Sequence, residues 1–305
     1  MGWFGDSLVI PQPFNRHDNK TPRFGADKSG RWPKHPDNSG KTEIAYCYEN
    51  KAAKDELEGV IAEGWGAWQR SLGRWGKESG HSLLVTRRLV PGQDIYCYLA
   101  NGDWNQLFPA DTVVIKRGAP GGWAAASSLG YRAEGSPGRH QLSIGNAEQA
   151  PNRDLAWGHI FGLMHEHSRG DRDDHVQFNC ASLTGYHEAL QKATADGFTI
   201  NELCNIFNVA KHYQFDASEY YKWTNDGLAY SSEYDYDSIM HYSSWQSHNP
   251  ALVNQDQNNP DNYPLLRLTG GKNGQKSLLP LPRPSGEWGI SRLDKEAIKL
   301  LYPWE

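Results

Sequence analysis

No stretch of this 305-residue chain is apolar over the ~18 residues that a membrane-crossing helix needs, so no membrane partner is expected. Surplus charge is also missing. The chain has 31 basic and 36 acidic residues, well mixed, for a net charge of −5, which gives neither a basic groove for nucleic acid nor an acidic tail. Cysteine is scarce, and Cys47, Cys97, Cys180 and Cys204 include no Cys-x-x-Cys pair, which argues against a structural cysteine-zinc site. Two disulfides can form, and sequence alone does not choose among the three pairings. Cys180 and Cys204 bracket one predicted helix, and Cys47 and Cys97 sit in similar strand-like runs. The start, Met1-Gly2-Trp3-Phe4-Gly5-Asp6, lacks the basic and apolar regions of a signal peptide. Asp6 stands where N-myristoylation would need Ser or Thr. A cytosolic protein and a mature form carrying a start Met both fit. Glycine, tryptophan and tyrosine, by contrast, are plentiful at 31, 12 and 15, as in loop-rich extracellular enzymes and binding proteins.

The organisation follows from hydrophobic spacing. Residues 1–43 are rich in Pro, Gly, Asn and Lys without a sustained period, and read as an extended arm or leader-like segment. Residues 44–48 suggest a strand. Over 51–72, Ala53, Leu57, Val60, Ile61, Trp65 and Trp68 recur three and four apart, which predicts an amphipathic helix. Strand-like runs follow at 83–86, 94–99, 112–116, 124–129 and 140–144. Pro151-Asn152 then offers a helix start with Asn152 as cap. Further helices are predicted at 181–195 and 200–207, and 246–287 reads as a surface excursion rich in Asn, Pro, Gly and Lys. The chain closes with a helix that Ser291 caps and that packs through Leu293, Ala297, Leu300 and Leu301.

Chemistry concentrates between Leu155 and Val176, where His159, Gly162 and His165 fall three residues apart. A short helix carrying His159, broken at Gly162 so that the chain turns back and brings His165 to the same point, suits zinc. That metal takes imidazoles converging at about 2.0–2.1 Å. A zinc peptidase would also carry His and Glu at positions 155 and 156, the Glu acting as general base. This chain has Leu155-Ala156. Asp154, one residue earlier, is rotated about 100° around a helix and is a poor substitute. His167, His175 and His241 read as surface or supporting groups rather than ligands.

Four separated stretches together resemble the astacin family of metzincin zinc endopeptidases. They are 159–173, the Ser238-Ile239-Met240-His241-Tyr242 turn, 128–145 with Gln141-Leu142-Ser143-Ile144-Gly145, and the final helix at 290–302. The resemblance spans roughly residues 44–302. It implies an α+β, zincin-like fold: a twisted sheet with helices in an N-terminal subdomain (44–165), an active-site helix, and a mostly irregular subdomain (166–302) closed by the C-terminal helix. By the same resemblance His159 and His165 would be zinc ligands, Met240 the Met-turn residue beneath the metal, and Tyr242 an extra ligand that swings off to stabilise the oxyanion. The strand of His140, Gln141, Leu142 and Ser143 would be the edge that pairs with an extended substrate. Glu166 would be the buried acid that meets the mature N-terminus, with Arg169, Asp171 and Arg172 in a charge network beside it. A secreted location is implied too, as are a peptide or protein partner and the cofactor zinc.

Two positions depart from the family. Its first His ligand falls on Leu155 and its catalytic Glu on Ala156; Leu donates no electrons to zinc and Ala takes no proton from water. The family's Cys near the C-terminus is absent, since the chain ends Tyr302-Pro303-Trp304-Glu305. Phe4-Gly5-Asp6 faintly resembles the leader motif whose Asp plugs the zinc. Arg153, Asp154 and Trp157 also break the apolar run of a zinc helix, which favours natural divergence over engineered inactivation. The expectation is therefore a proteolytically inactive or impaired pseudopeptidase that binds an extended peptide. The alternatives are an active metalloenzyme with an altered ligand set, or a cleft doing non-hydrolytic small-molecule chemistry with His159, His165 and Tyr242.

Overall fold

The computed structural model describes residues 26–27, 30–37, 39–118, 125–145, 153–223, 228–229, 233–271, 274–279 and 289–305. The Phe4-Gly5-Asp6 motif and the Asn152 cap lie outside them. Two compact units emerge. The first takes the chain up to Met164 with residues 226–230 and 284–305, and the second takes 165–225 and 231–283. In chain order the elements are β1 (Ala26–Asp27), β2 (Thr42–Tyr48), α1 (Lys51–Leu72), β3 (Leu83–Arg87), β4 (Val113–Arg117), β5 (Ala125–Ser127), β6 (Gln141–Ile144) and α2 (Arg153–Ile160). They continue with β7 (Val176–Phe178), α3 (Tyr186–Ala195), α4 (Ile200–Asn205), α5 (Phe207–His212), β8 (Leu228–Ala229), α6 (Pro250–Gln255), β9 (Leu265–Thr269), β10 (Gln275–Leu278) and α7 (Arg292–Leu301).

In the first unit α1 spans the predicted residues. Asn50 caps it, its side chain accepting from Ala53 N at 2.9 Å. Ala53, Leu57, Ile61, Trp68 and Leu72 are buried, while Val60 and Trp65, assigned to the same stripe, are half-buried at its margins. The sheet has the order β3-β2-β4-β6-β5. The first four strands pair in parallel, and β5 is antiparallel to β6. The mixed helix-and-sheet architecture expected from the sequence is thus present.

One strand assignment changes. His140, Gln141, Leu142 and Ser143 were expected on the sheet edge, yet β6 lies between β4 and β5. Leu142, Ser143 and Ile144 are all buried, as befits a strand covered on both sides. The edge on that side is β5, with half-buried residues throughout, and β3 is the other. Nor does the run 94–99 form a strand. Cys97 N donates to Tyr48 O at 2.8 Å and Asn105 N to Cys97 O at 2.9 Å, and the Cys47–Cys97 disulfide joins this irregular segment to β2. The bridge sits in a small core with Phe108 and Val114.

The second unit packs α3, α4 and α5 beside the antiparallel sheet β10-β9-β7 around Val176, Leu183, Leu203, Phe215, Tyr220 and Leu265. The Cys180–Cys204 disulfide ties the start of this helical region to α4. The predicted helix 181–195 begins later, at Tyr186, because Leu183 bridges His248 and Thr184 N donates to Ser247 O at 3.0 Å. Those bonds take both residues out of a helix. Likewise 200–207 is split at Ile206 into α4 and α5. The excursion 246–287 contains α6, β9 and β10, so it is more ordered than its composition suggested. The closing helix α7, assigned from the sequence to the lower half, belongs to the first unit, where Ser82 N donates to Tyr302 O at 2.9 Å. Its capping box pairs Ser291 with Asp294, and Ile298 is fully buried while Leu300 is half-buried. Among the described residues, no helix is long and apolar enough to cross a membrane.

Candidate functional site

α2 is eight residues long, too short to persist on its own propensity, and it is held by its surroundings. Trp68 Nε1 donates to Asp154 O at 2.8 Å and Ser127 Oγ to Ala156 O at 2.9 Å. Trp157 and Phe161 stack at 5.9 Å and are fully buried. The helix stops at Gly162, whose φ of 93° lies in the left-handed region that a side chain strains. This is the break that the sequence predicted.

His159 sits half-buried on the last turn of α2. Its Nδ1 donates to Leu163 O at 2.8 Å, which fixes the proton on Nδ1 and leaves the Nε2 lone pair in the ligand-type tautomer. Burial lowers its pKa to about 4, keeping the ring neutral. Leu155 is half-buried and Ala156 buried on the same helix. Asp154 is buried one position earlier.

The other predicted residues fall in the second unit. His165 Nδ1 donates to Met240 O at 3.1 Å, and Glu166 N donates to the same carbonyl at 3.1 Å. Met240 is buried, its own N–H bonded to Ser238 Oγ at 3.0 Å, so the 238–242 turn orients His165 through its backbone. Tyr242 stacks on His167 at 4.2 Å and meets His165 edge-on at 4.4 Å. Burial drives the phenol pKa well above its usual value, and the charge of Glu219 nearby raises it further.

Glu166 is buried and accepts from Arg169 Nη1 at 2.7 Å and from Asp235 N at 2.9 Å. Burial outweighs these bonds and pushes its pKa up to about 7. Arg169 also grips Asp171 with two bonds, at 2.9 and 2.7 Å, and reaches Glu233 O at 2.8 Å. Arg172 pairs with Asp173 at 3.3 Å and donates to His167 O at 3.2 Å and to Tyr220 O. His167 and His241 are buried and bonded, His167 Nε2 to Glu219 O at 3.1 Å and His241 Nε2 to the Tyr234 hydroxyl at 2.9 Å. Both are supporting groups.

The donor chemistry can be weighed against zinc. Catalytic zinc sites use three protein ligands drawn from His, Glu, Asp and Cys. Among the described residues no group of three or more His, Cys, Asp or Glu is placed to hold a metal. α2 contributes one imidazole where a zinc peptidase helix contributes two. These residues do not fit a catalytic zinc, and no reaction step is derived through one.

Sequence reasoning missed the groups that fasten α2: Trp32, Trp68, Ser127 and Tyr302. Their signal was faint, the best being one Trp in the polar stretch 26–43 of the arm. Glu219 was missed too, as one carboxylate among many. His140, taken for a strand-edge residue, is fully buried, donating from Nδ1 to Asp111 O at 3.0 Å and accepting Arg132 N at 2.9 Å on Nε2.

No family model matches the sequence, and no curated protein matches it. Solved structures do resemble it in fold. High choriolytic enzyme 1, a hatching-enzyme zinc protease from Oryzias latipes (medaka fish), matches over 90% of this chain and 95% of its own, at 16% identity and a TM-score of 0.49. The structure of myroilysin matches over 91% of this chain and 98% of its own, at 14% identity and a TM-score of 0.42. The likeness is one of fold, and the reading of the site rests on this chain's own residues.

Proposed function

We propose that this chain is an astacin-like zinc-peptidase scaffold that has lost proteolysis and binds extended peptides. One observation carries the reading. The helix position where a peptidase needs its general-base carboxylate holds Ala156, a methyl group 1% exposed in the core of the first unit. A methyl accepts no proton, and general-base help is worth typically ~10²–10⁴-fold. Leu155 brings no lone pair to a metal either.

Peptide binding is supported by β5. Its inner side pairs with β6, and among the described residues no strand covers its outer side. Ser128 N donates to Gln141 O at 2.9 Å, so by the alternation of an antiparallel ladder Ala125 and Ser127 turn their backbone groups outward. A peptide added there as a strand would take main-chain hydrogen bonds and leave specificity to its alternate side chains. The two disulfides fit an extracellular protein, which makes extracellular peptides the natural ligands.

The test is metal analysis of the purified chain together with a mixed peptide library. Expected are substoichiometric zinc, no chelator-sensitive cleavage, and retention of extended peptides that Ala125→Pro weakens by roughly tenfold or more. One equivalent of zinc with cleavage abolished by chelator would overturn the loss of proteolysis. Failure to retain any peptide would overturn the binding role. Leu155→His with Ala156→Glu should raise both metal content and cleavage if the scaffold is of the peptidase type.

A further inference from the structure

The last turn of α2 is fastened by bonds from distant parts of the first unit. A helix ends with four carbonyls that lack intrahelical partners, and here each of the last three around Gly162 is satisfied from outside or by the turn itself. His159 O accepts from Gly130 N and from Gly162 N, both at 2.8 Å. Ile160 O accepts from Trp32 Nε1 at 2.7 Å, and Phe161 O from the Tyr302 hydroxyl at 2.7 Å. Trp32 N in turn donates to the Tyr302 hydroxyl at 3.5 Å.

Trp32 belongs to the arm, whose neighbours Arg31, Pro33 and Lys34 are exposed while Trp32 itself is 5% exposed. Its ring lies 4.7 Å from His140 and 5.2 Å from Tyr131. The backbone is seated as well, because Gly30 O accepts from Tyr131 N at 2.6 Å. The approach is so close that a Cβ on Gly130, which has φ 54°, would lie 2.5 Å from Gly30 O. Buried Gly30 and Trp32 thus anchor a thread whose next residues are exposed, and the indole donor lands on the carbonyl next to His159.

We infer that Gly30–Trp32 is a latch that positions the last turn of α2 and, through it, the His159 imidazole. Trp32 is a positioning residue. Gly30–Trp32 packs as part of the first unit. The inference does not depend on whether the site binds peptide or cuts it, so it stands or falls separately from the function proposed above.

The experiment uses the full chain with Trp32→Phe, which keeps a ring and removes the donor, and Trp32→Ala. Amide hydrogen exchange and the His159 Nδ1–H resonance are followed in each. Loss of one buried hydrogen bond should speed exchange at Phe161, Gly162 and Leu163 by roughly tenfold and shift the His159 resonance, while β2 and β4 amides keep their protection. Trp32→Ala should enlarge the same local pattern. The latch is overturned if the end of α2 and His159 are unchanged in both variants. It is equally overturned if exchange quickens evenly across α1, β2 and β4, the mark of an ordinary core residue.

Discussion

Residues 153–164 and 165–174 are consecutive in sequence, yet they satisfy their buried polar groups in opposite ways. In the first, the side chains at the would-be catalytic positions are apolar, and the helix carbonyls are held by neutral donors from Trp68, Ser127, Trp32 and Tyr302. In the second, Glu166, Arg169, Asp171, Arg172 and Asp173 form a dense charged network. A helix backbone can therefore be kept in place after its reactive side chains are gone, because its support comes from elsewhere. A buried carboxylate cannot lose its guanidinium so cheaply, since Glu166 would keep the Asp235 N–H but lose its charged donor, Arg169.

The charged region should be the easier to break. Arg169→Ala removes the partner of buried Glu166 and should destabilise the second unit by about 3–5 kcal/mol, read from denaturant midpoints at unchanged slope. An effect below about 1 kcal/mol would mean that the network contributes no more than surface pairs do.

The first unit should respond to acid through His140, fully buried, with its pKa lowered to about 4 by burial and by Arg139 and Arg132 nearby. The folded pKa lies below the unfolded value. Its contribution is therefore complete above about 6.5 and is lost as pH falls towards about 4, on the order of 3 kcal/mol in all. His140→Asn should flatten that limb of the stability curve. An unchanged acid limb would place the titration on other buried histidines.

Gly162→Ala sharpens the comparison at the junction. A Cβ at φ 93° costs about 1–2 kcal/mol, a fall of about 2–8 °C in the melting of the first unit. The smallest effect is expected from Ser127→Ala, which removes one donor to Ala156 O for about 1 kcal/mol. A neutral result there would show that α2 is fixed by its far end alone.

Much of this was legible in the sequence, and the physical reasons are specific. α1 was readable from end to end because its apolar positions carry the 3.6 period. α7 announced itself through Ser291 and Asp294. The break at Gly162 followed from one glycine between two histidines. By contrast, β6 was taken for an edge because strand order in a sheet depends on partners far along the chain, and nothing within Gln141–Ile144 names them. β9 and β10 were hidden in a polar excursion because short strands owe their order to pairing rather than to propensity. Tyr242 was read as a ligand from its motif, and its stacking on His167 joins residues 75 apart in number that local patterns do not connect.

The sequence by itself determined which side chains are available at the site: His159 and His165 kept, Leu155 and Ala156 substituted. That limit holds in any conformation, because a methyl accepts no proton and an alkyl chain binds no metal. Only the tertiary structure decided the cysteine pairing, which strand forms the sheet edge, and what holds α2. Each of these is a contact between segments tens to hundreds of residues apart, favoured by burial and hydrogen bonding that become available only once the chain has folded.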